Sequence, residues 1–331
     1  MRIAIVKLSA MGDIIHAMVA LQFIKKEYPN IIIDWFVEKA FSQVLEYNPH
    51  INNIYELDLK SIKKDKKNIF SQIKLLKHYS KNNYDLVIDA QGLIKSAFVS
   101  KILGKKTIGF NKKSTREGLA SLFYTKKISS SYEKNVIERN IDILCKSLEI
   151  EVSKNDILNK EPFLYSSNEK REIYTYLRNQ KRNILLIIGA SWPSKMYSKE
   201  KFAKIINCLD ENCLIAWGNE EEKKIADEIA LNSTVIVLPK LDLNSLKAVV
   251  KNSDLVIGND TGPTHMAWAL NIPSITIFGC TPGNRNTYLT NINKIIESDS
   301  SVDALRLNKE DYSIKDIPYK KIVDLAKELL D

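Results

Sequence analysis

The chain has 331 residues, 44% of them hydrophobic, and a formal net charge of +9, enough length for two domains that each bury a core. It has no apolar run of about eighteen residues and so no expected membrane-spanning helix, and its apolar start, residues 1–6, lacks the basic leader and cleavage site of a signal peptide. Cys145, Cys208, Cys213 and Cys280 have neither CxxC nor zinc-type spacing and read as reduced thiols of a cytosolic protein, and the four histidines are too scattered for a metal cluster.

In chain order, residues 2–7 read as a short apolar strand and 8–12 as a small-residue turn. A helix follows from Asp13, with Ile14, Ile15, Met18, Val19, Leu21 and Ile24 near helical spacing, and Pro29 ends it. A strand over 31–37 completes a β-α-β unit with a buried parallel sheet. Residues 60–67 are dense in lysine, 69–79 helical, and 85–89 (DLVID) a buried strand before the turn Ala90-Gln91-Gly92. A strand over 107–110, a loop with a helix over 114–124 and a longer helix over 133–148 follow. Polar residues dominate from about 149 to 180 with no strong strand, which places the domain boundary there.

The alternation then restarts with a strand over 183–188, a turn over 189–195 and a helix to Leu209, capped by Ser198 with Glu200 in its first turn. Next come a strand over 213–217, a charged helix from Glu220, and strands over 234–238, 254–258 and 274–278. The last ten or so residues are amphipathic and helical. DLVID at 85–89 and DLVIG at 254–258 echo each other without a fixed repeat period. Each precedes a polar, Gly-containing turn at a strand's C-terminal end, where open α/β sheets bind ligands.

Two loops carry the leading candidates. In KLSAMGDIIH (7–16), Gly12 allows a tight turn and Asp13 stands where the chain enters a helix. A carboxylate there can act as general base toward a hydroxyl; the plainer reading is an N-cap. GxGxxG is absent, which weakens a dinucleotide oxidoreductase. In GNDTGPTHM (258–266), a strand gives way to a polar turn and a helix with Pro263 near its first position. The backbone amides at 261–263 would bind phosphate at that helix N-terminus, or an Asp/Thr pair simply caps a core helix. His265, one turn in, would on its own be a hydrogen-bonded structural residue.

Weaker signals accompany them. Lys195 in GASWPSK (189–195) can neutralise a diphosphate leaving group without a metal, or be a surface lysine. In WGNEEE (217–222) an acid after a strand can accept from ribose hydroxyls, or complement a helix dipole; the triplet does not say which acid. The net charge reads first as a solvated basic surface; an anionic substrate, an anionic membrane face and nucleic acid are the alternatives, which long-range charge does not separate. The basic set Lys60, Lys63, Lys64, Lys66 and Lys67, with Lys112, Lys113, Arg116 and Arg139, suits a polyanionic acceptor and lacks the aromatic interleaving of a nucleic-acid groove.

Together these motifs resemble the lipopolysaccharide heptosyltransferases, within the larger ADP-heptose glycosyltransferase group. The resemblance covers nearly the whole chain. It rests on KLSAMGDIIHA, DAQGL at 89–93, STREGLAS at 114–121, the WG-plus-acid turn at 217–222, LPK at 238–240 and DTGPTH at 260–265, in this order and spacing. DAQGL and STREGLAS are more similar to heptosyltransferase I than to heptosyltransferase II.

The resemblance implies an α/β GT-B fold, two Rossmann-like domains with a cleft between them. Residues 1–165 would bind the acceptor, 166–315 the ADP-sugar, and a C-terminal helix over 316–331 is able to pack back on the first domain. It implies inverting transfer of L-glycero-D-manno-heptose from ADP-L-glycero-beta-D-manno-heptose to the first Kdo of Kdo2-lipid A, in lipopolysaccharide inner-core biosynthesis. No cofactor, no metal and no nucleic-acid partner are implied, and the place is cytoplasmic, peripheral on the inner membrane. Asp13 matches the general base, Lys195 the lysine on the donor phosphates, Ser191 a neighbouring hydroxyl ligand and Glu222 the ribose-binding glutamate. Asp260, Thr261, Gly262 and His265 match the ADP-binding loop. Arg116 and Arg139, with Lys60, Lys63 and Lys64, match a basic acceptor-side surface. Three departures stand out: Ala190 replaces a common second hydroxyl, Leu241 replaces a methionine lining the nucleotide pocket, and the 60–67 segment carries lysine where arginine is common, which supplies charge without bidentate geometry. The rival readings are heptosyltransferase II, separated by its monoheptosylated acceptor; a non-catalytic nucleotide-sugar-binding protein, separated by a turnover assay; and a nucleic-acid binder, which predicts salt-dependent binding.

Overall fold

A computed structural model describes the backbone of residues 1–331 and the side chains of all but Lys63 and Lys64. The chain divides into two units, Met1–Phe163 and Leu164–Asp331.

In the first unit, β1 (Arg2–Val6), α1 (Met11–Met18), α2 (Ala20–Glu27), β2 (Ile32–Glu38) and β3 (Asn53–Leu57) are followed by α3 (Ser61–Lys64) and α4 (Asn68–Tyr79). Then come β4 (Leu86–Asp89), α5 (Ile94–Leu103), β5 (Thr107–Phe110), a 3-10 turn over Gly118–Phe123, β6 (Lys126–Ile128), α6 (Val136–Cys145) and α7 (Lys154–Leu158). The strands form one parallel sheet in the order β3-β2-β1-β4-β5-β6.

The second unit has β7 (Asn183–Ile187), α8 (Lys199–Leu209), β8 (Asn212–Ala216), α9 (Glu220–Ala230), β9 (Ile236–Val237) and α10 (Leu243–Lys251). It continues with β10 (Leu255–Asn259), α11 (Gly262–Ala269), β11 (Ser274–Phe278), α12 (Gly283–Asn286), β12 (Asn293–Glu297) and α13 (Tyr319–Leu330). Its parallel sheet runs β12-β11-β10-β7-β8-β9. Counted within each unit, both sheets have the doubly wound order 3-2-1-4-5-6.

That order reverses between the first and fourth strands, β1/β4 and β7/β10. Such a switch point opens a crevice outside the strands' C-terminal ends, where ligands of open α/β sheets bind. The segments leaving those ends are 7–13 and 90–93 in the first unit, and 188–195 and 260–265 in the second.

The central strands are covered on both faces and therefore read as apolar runs, such as IAIV of β1 and ILLI of β7. Three of the four edge strands, β3, β6 and β12, are only partly covered and do not read as apolar runs in the sequence, whereas the fourth, β9, does. The helix expected from Asp13 begins earlier, at Met11, and breaks at Val19 into α1 and α2. Gly12 accordingly lies in the first helical turn, not in a tight turn. The apolar face of α13 is taken up by the second unit's own core: Ile322, Val323 and Ala326 are buried with Phe202, Ile205 and Ile206 of α8, and Tyr197 Oη donates to the Ile317 carbonyl at 2.8 Å. No helix among the described residues is long and apolar enough to cross a membrane.

Candidate active site

At the first switch point, β1 is followed directly by Lys7, only 6% exposed. Its Nζ donates to the Ala90 carbonyl at 2.9 Å and to Asn140 Oδ1 at 3.3 Å. Burial pulls this ammonium's pKa down, and the charges of Asp13 and Asp89 oppose that pull. Gln91 Oε1 accepts from the Leu8 and Ser9 N–H groups at 3.0 and 3.1 Å, so the turn after β4 braces the loop after β1.

Asp13 is not the N-cap of α1. Ala10 is the N-cap, and Asp13, the third residue of the helix, reaches back so that its Oδ2 accepts from the Ala10 N–H at 3.1 Å. The other carboxylate oxygen makes no hydrogen bond among the described residues, and the residue is half-buried. A carboxylate with one oxygen anchored and the other open is suited to receive a proton from a hydroxyl placed beside it.

The turn after β4 is organised by Asp89, a fully buried carboxylate. Its Oδ1 accepts from the Gln91 and Gly92 N–H groups at 2.9 and 3.0 Å, and its Oδ2 from Ser96 Oγ and Tyr124 Oη at 2.8 and 2.7 Å. Burial nonetheless drives its pKa up against these four bonds. Gly92 has φ of +73°, and a Cβ there would lie 3.0 Å from Thr115 Oγ1 and 3.2 Å from the Phe110 ring, so glycine is required.

The basic residues separate. Arg116 and Lys60 are exposed, and the Lys60 ammonium lies 5.0 Å from the Phe41 ring centre near the ends of β2 and β3. Arg139 departs from the expected surface position. It is 7% exposed; its guanidinium donates to the carbonyls of Ser114, Ser130 and Ser131 and lies over the Phe110 and Tyr132 rings. It ties together the loops that follow β5 and β6. Lys63 and Lys64, named with these residues for the acceptor side, lie outside the described side chains.

At the second switch point the two loops meet. Lys195 Nζ, at the end of a 3-10 turn over Pro193–Lys195, lies 2.6 Å from Asp260 Oδ2, both side chains about 10% exposed or less. Asp260 Oδ1 is 3.0 Å from His265 Nε2, and Oδ2 accepts from Thr281 Oγ1 at 2.8 Å. Burial alone would raise the Asp260 pKa, but the Lys195 charge and the His265 contact outweigh it and hold the carboxyl well below the usual carboxylate range. Asp260 is thus an anchor, ionised at neutral pH, that fixes Lys195, and Thr261, not Asp260, is the N-cap of α11. Pro263 has no N–H, so the amides expected at 261–263 reduce to those of Thr261 and Gly262.

Around this pair, the Lys195 ammonium lies 5.0 Å from the Trp192 ring centre, and the Lys309 ammonium lies 5.1 Å from the same ring. Ser191 is exposed beside them. Farther along the sheet edge, Glu222 accepts from the Gly218 N–H at 2.7 Å and from Asn219 Nδ2 at 2.9 Å, and Asn219 Oδ1 caps α9 by accepting from the Glu222 N–H. A Cβ on Gly189 would lie 2.4 Å from the Glu222 carboxyl, so β7's end and the glutamate close on each other. Leu241 is half-buried just before the Asp242 cap of α10. Lys7, Gln91, Thr281 and Lys309 were not singled out from the sequence. Lys7 had one signal, a charged residue directly continuing a buried strand.

The family model for glycosyltransferase family 9 (heptosyltransferase) matches residues 72–311. The chain is 39% identical to lipopolysaccharide heptosyltransferase 1 of Campylobacter coli, over 99% of both chains. The chain belongs to glycosyltransferase family 9. It is 30% identical to lipopolysaccharide heptosyltransferase 1 of Escherichia coli K12, over 86% of this chain and 89% of that one. Among solved structures, E. coli heptosyltransferase WaaC with ADP superposes with a TM-score of 0.83 at 24% identity, over 99% of this chain and 100% of the other. E. coli ADP-heptose lps heptosyltransferase II gives 0.75 at 18% identity, over 100% and 98%. The fold is the GT-B fold of two Rossmann-like domains that the resemblance implies, and the likeness to type 1 enzymes agrees with the reading of DAQGL and STREGLAS. Membership places the chain among enzymes, against the alternative of a non-catalytic nucleotide-sugar-binding protein.

Proposed function

We propose that this glycosyltransferase moves L-glycero-D-manno-heptose from ADP-heptose to the first Kdo of Kdo2-lipid A, inverting the anomeric centre without a metal, in assembly of the lipopolysaccharide inner core. Its place is the cytoplasmic face of the inner membrane, held peripherally. The observation that carries this reading is the Lys195 ammonium fixed by the buried Asp260 carboxylate at the N-terminus of α11. A nucleoside diphosphate leaving group needs cationic and N–H stabilisation as its negative charge grows. Lys195 supplies the cation, and the Thr261 and Gly262 N–H groups add donors at the helix end.

In the proposed reaction, Asp13 takes the proton of the attacking Kdo hydroxyl as the new C–O bond forms at the anomeric carbon. The bond from that carbon to the β-phosphate oxygen breaks, and ADP leaves with the electron pair. The transition state resembles an oxocarbenium ion. Glu222 takes the ribose hydroxyls, with Ser191 and Leu241 beside the nucleotide and His265 holding Asp260 from its far side. Arg116 and Lys60 meet the acceptor's anionic groups. Arg139 acts through the loops it binds.

The deciding experiment incubates the protein with ADP-heptose and, in separate arms, Kdo2-lipid A and its monoheptosylated form. A mass increase of one heptose on Kdo2-lipid A is expected. Transfer to the monoheptosylated form alone would make the protein a type II enzyme, and no transfer in either arm would overturn the proposal.

A further inference from the structure

We infer that the outer face of α5 and the adjoining Gly118–Phe123 turn is a docking surface for an anionic lipid bilayer. The two elements pack on each other through Ala97, Ala120 and Tyr124, all buried. What this packing turns outward is apolar. Leu119 and Leu122, three apart and so on one side of a 3-10 turn, are 62% and 74% exposed. Ile94 and Phe98, four apart on α5, are 42% and 44% exposed. Four large apolar side chains projecting from neighbouring elements are not scattered surface residues; a cluster of this kind marks an interaction site.

The rim selects the occupant. Lys95 and Lys101 lie exposed on α5, and Lys112, Lys113 and Arg116 are exposed before the turn. Lys112 lies directly on the turn, since a Cβ on Gly118 would meet its Cγ at 2.9 Å. Residues 93–124 hold seven Lys and Arg against a single acid, Glu117, so about two thirds of the chain's net charge of +9 sits in this stretch. Glu117 is itself engaged, accepting from the Ile94 N–H at 2.7 Å. Apolar tips within a one-signed cationic rim complement a bilayer with anionic headgroups, where the tips enter the acyl boundary and the lysines lie at headgroup level. A second copy of this chain fits worse, because a twofold contact would set the same five cations against one another.

This deepens the peripheral placement proposed above by naming its surface. The test needs neither donor nor acceptor, so its failure leaves heptosyl transfer standing. The full-length protein is sedimented with phosphatidylcholine vesicles with and without phosphatidylglycerol. Binding only to the anionic vesicles, weakening with salt, is expected. Leu119→Ser with Leu122→Ser should weaken it by about tenfold or more, with thermal midpoint and ADP affinity unchanged. Lys95→Glu with Lys101→Glu should weaken it and flatten its salt dependence. Equal binding to neutral vesicles, full binding by the leucine variant, or a wild-type dimer that the leucine variant abolishes would each overturn the inference.

Discussion

Asp13 and Asp260 both leave the switch point of a sheet with the same strand order, and their surroundings are opposite. Asp260 is buried, paired with Lys195, and further bound by His265 and Thr281. Asp13 is half-buried, with one local N–H bond and an open oxygen. The same topology thus yields two carboxylates with different chemistry. One spends its charge holding a cation in place; the other leaves an oxygen without a hydrogen bond among the described residues. Removing each should therefore break different quantities.

The largest effect is expected at Asp13. Asp13→Asn keeps the size and the bond from Ala10 but removes the base, so turnover should fall by roughly 100-fold or more, with ADP affinity nearly unchanged in calorimetry. Near-normal turnover would remove Asp13 from the chemistry and dissolve the contrast with Asp260.

Lys195 and Asp260 come next. Lys195→Ala should weaken ADP binding by about tenfold or more; unaltered affinity would count against its phosphate role. Asp260→Asn leaves Lys195 buried without its counter-charge, a loss on the order of 3–5 kcal/mol for a buried pair, read as a lower thermal midpoint. The pH dependence has a definite sign. A carboxyl whose folded-state pKa is depressed contributes stability in full above its unfolded value and loses it as pH falls through the folded one. The gap in midpoint between wild type and Asp260→Asn should stay constant from neutral pH down to about 5 and narrow only below about 4. A gap that narrows already near neutral pH would contradict the pair.

The two arginines give a smaller version of the same contrast. Arg139 is buried under three carbonyls, whereas Arg116 is exposed. Arg139→Lys loses the planar fork that serves those carbonyls, so the thermal midpoint should drop, by about 1–3 kcal/mol of stability. Arg116→Ala should leave the midpoint alone and raise the KM for the acceptor several-fold. Equal midpoints for the two variants would deny Arg139 its framework role.

How much of this was legible in the sequence follows from how local each signal is. β1, β4, β7 and β10 are apolar runs because both their faces are covered, and the loops after them carry the glycines, acids and lysine that draw attention. The edge strands β3, β6 and β12 lack that coverage and that signal. Asp13 was placed near a helix start correctly, but its position inside the first turn depends on Ala10 serving as cap, which no side chain announces. The Lys195–Asp260 pair joins residues 65 positions apart, and only the sheet order brings their strands side by side. The separation of Arg139 from Arg116 is likewise tertiary: nothing in VIERN says that its arginine is roofed by Phe110 and Tyr132.

The smallest expected effect tests the nucleotide side at Glu222. Glu222 already accepts from Gly218 N–H and Asn219 Nδ2, so its remaining capacity for a ribose hydroxyl is that of a carboxylate with spare lone pairs. Glu222→Gln replaces a charge-assisted acceptor with a neutral one about half as strong, and ADP should bind a few-fold more weakly, a change of about 1 kcal/mol. Inorganic diphosphate has no ribose, so its affinity should not move in the same variant. Equal weakening of both ligands would mean that the start of α9 has been disturbed instead. Gly189→Ala is the independent check: its Cβ would fall 2.4 Å from the Glu222 carboxyl and push the glutamate aside without changing its charge. It should reproduce the loss for ADP, and a variant that binds ADP as well as wild type would show that the ribose does not depend on where Glu222 sits.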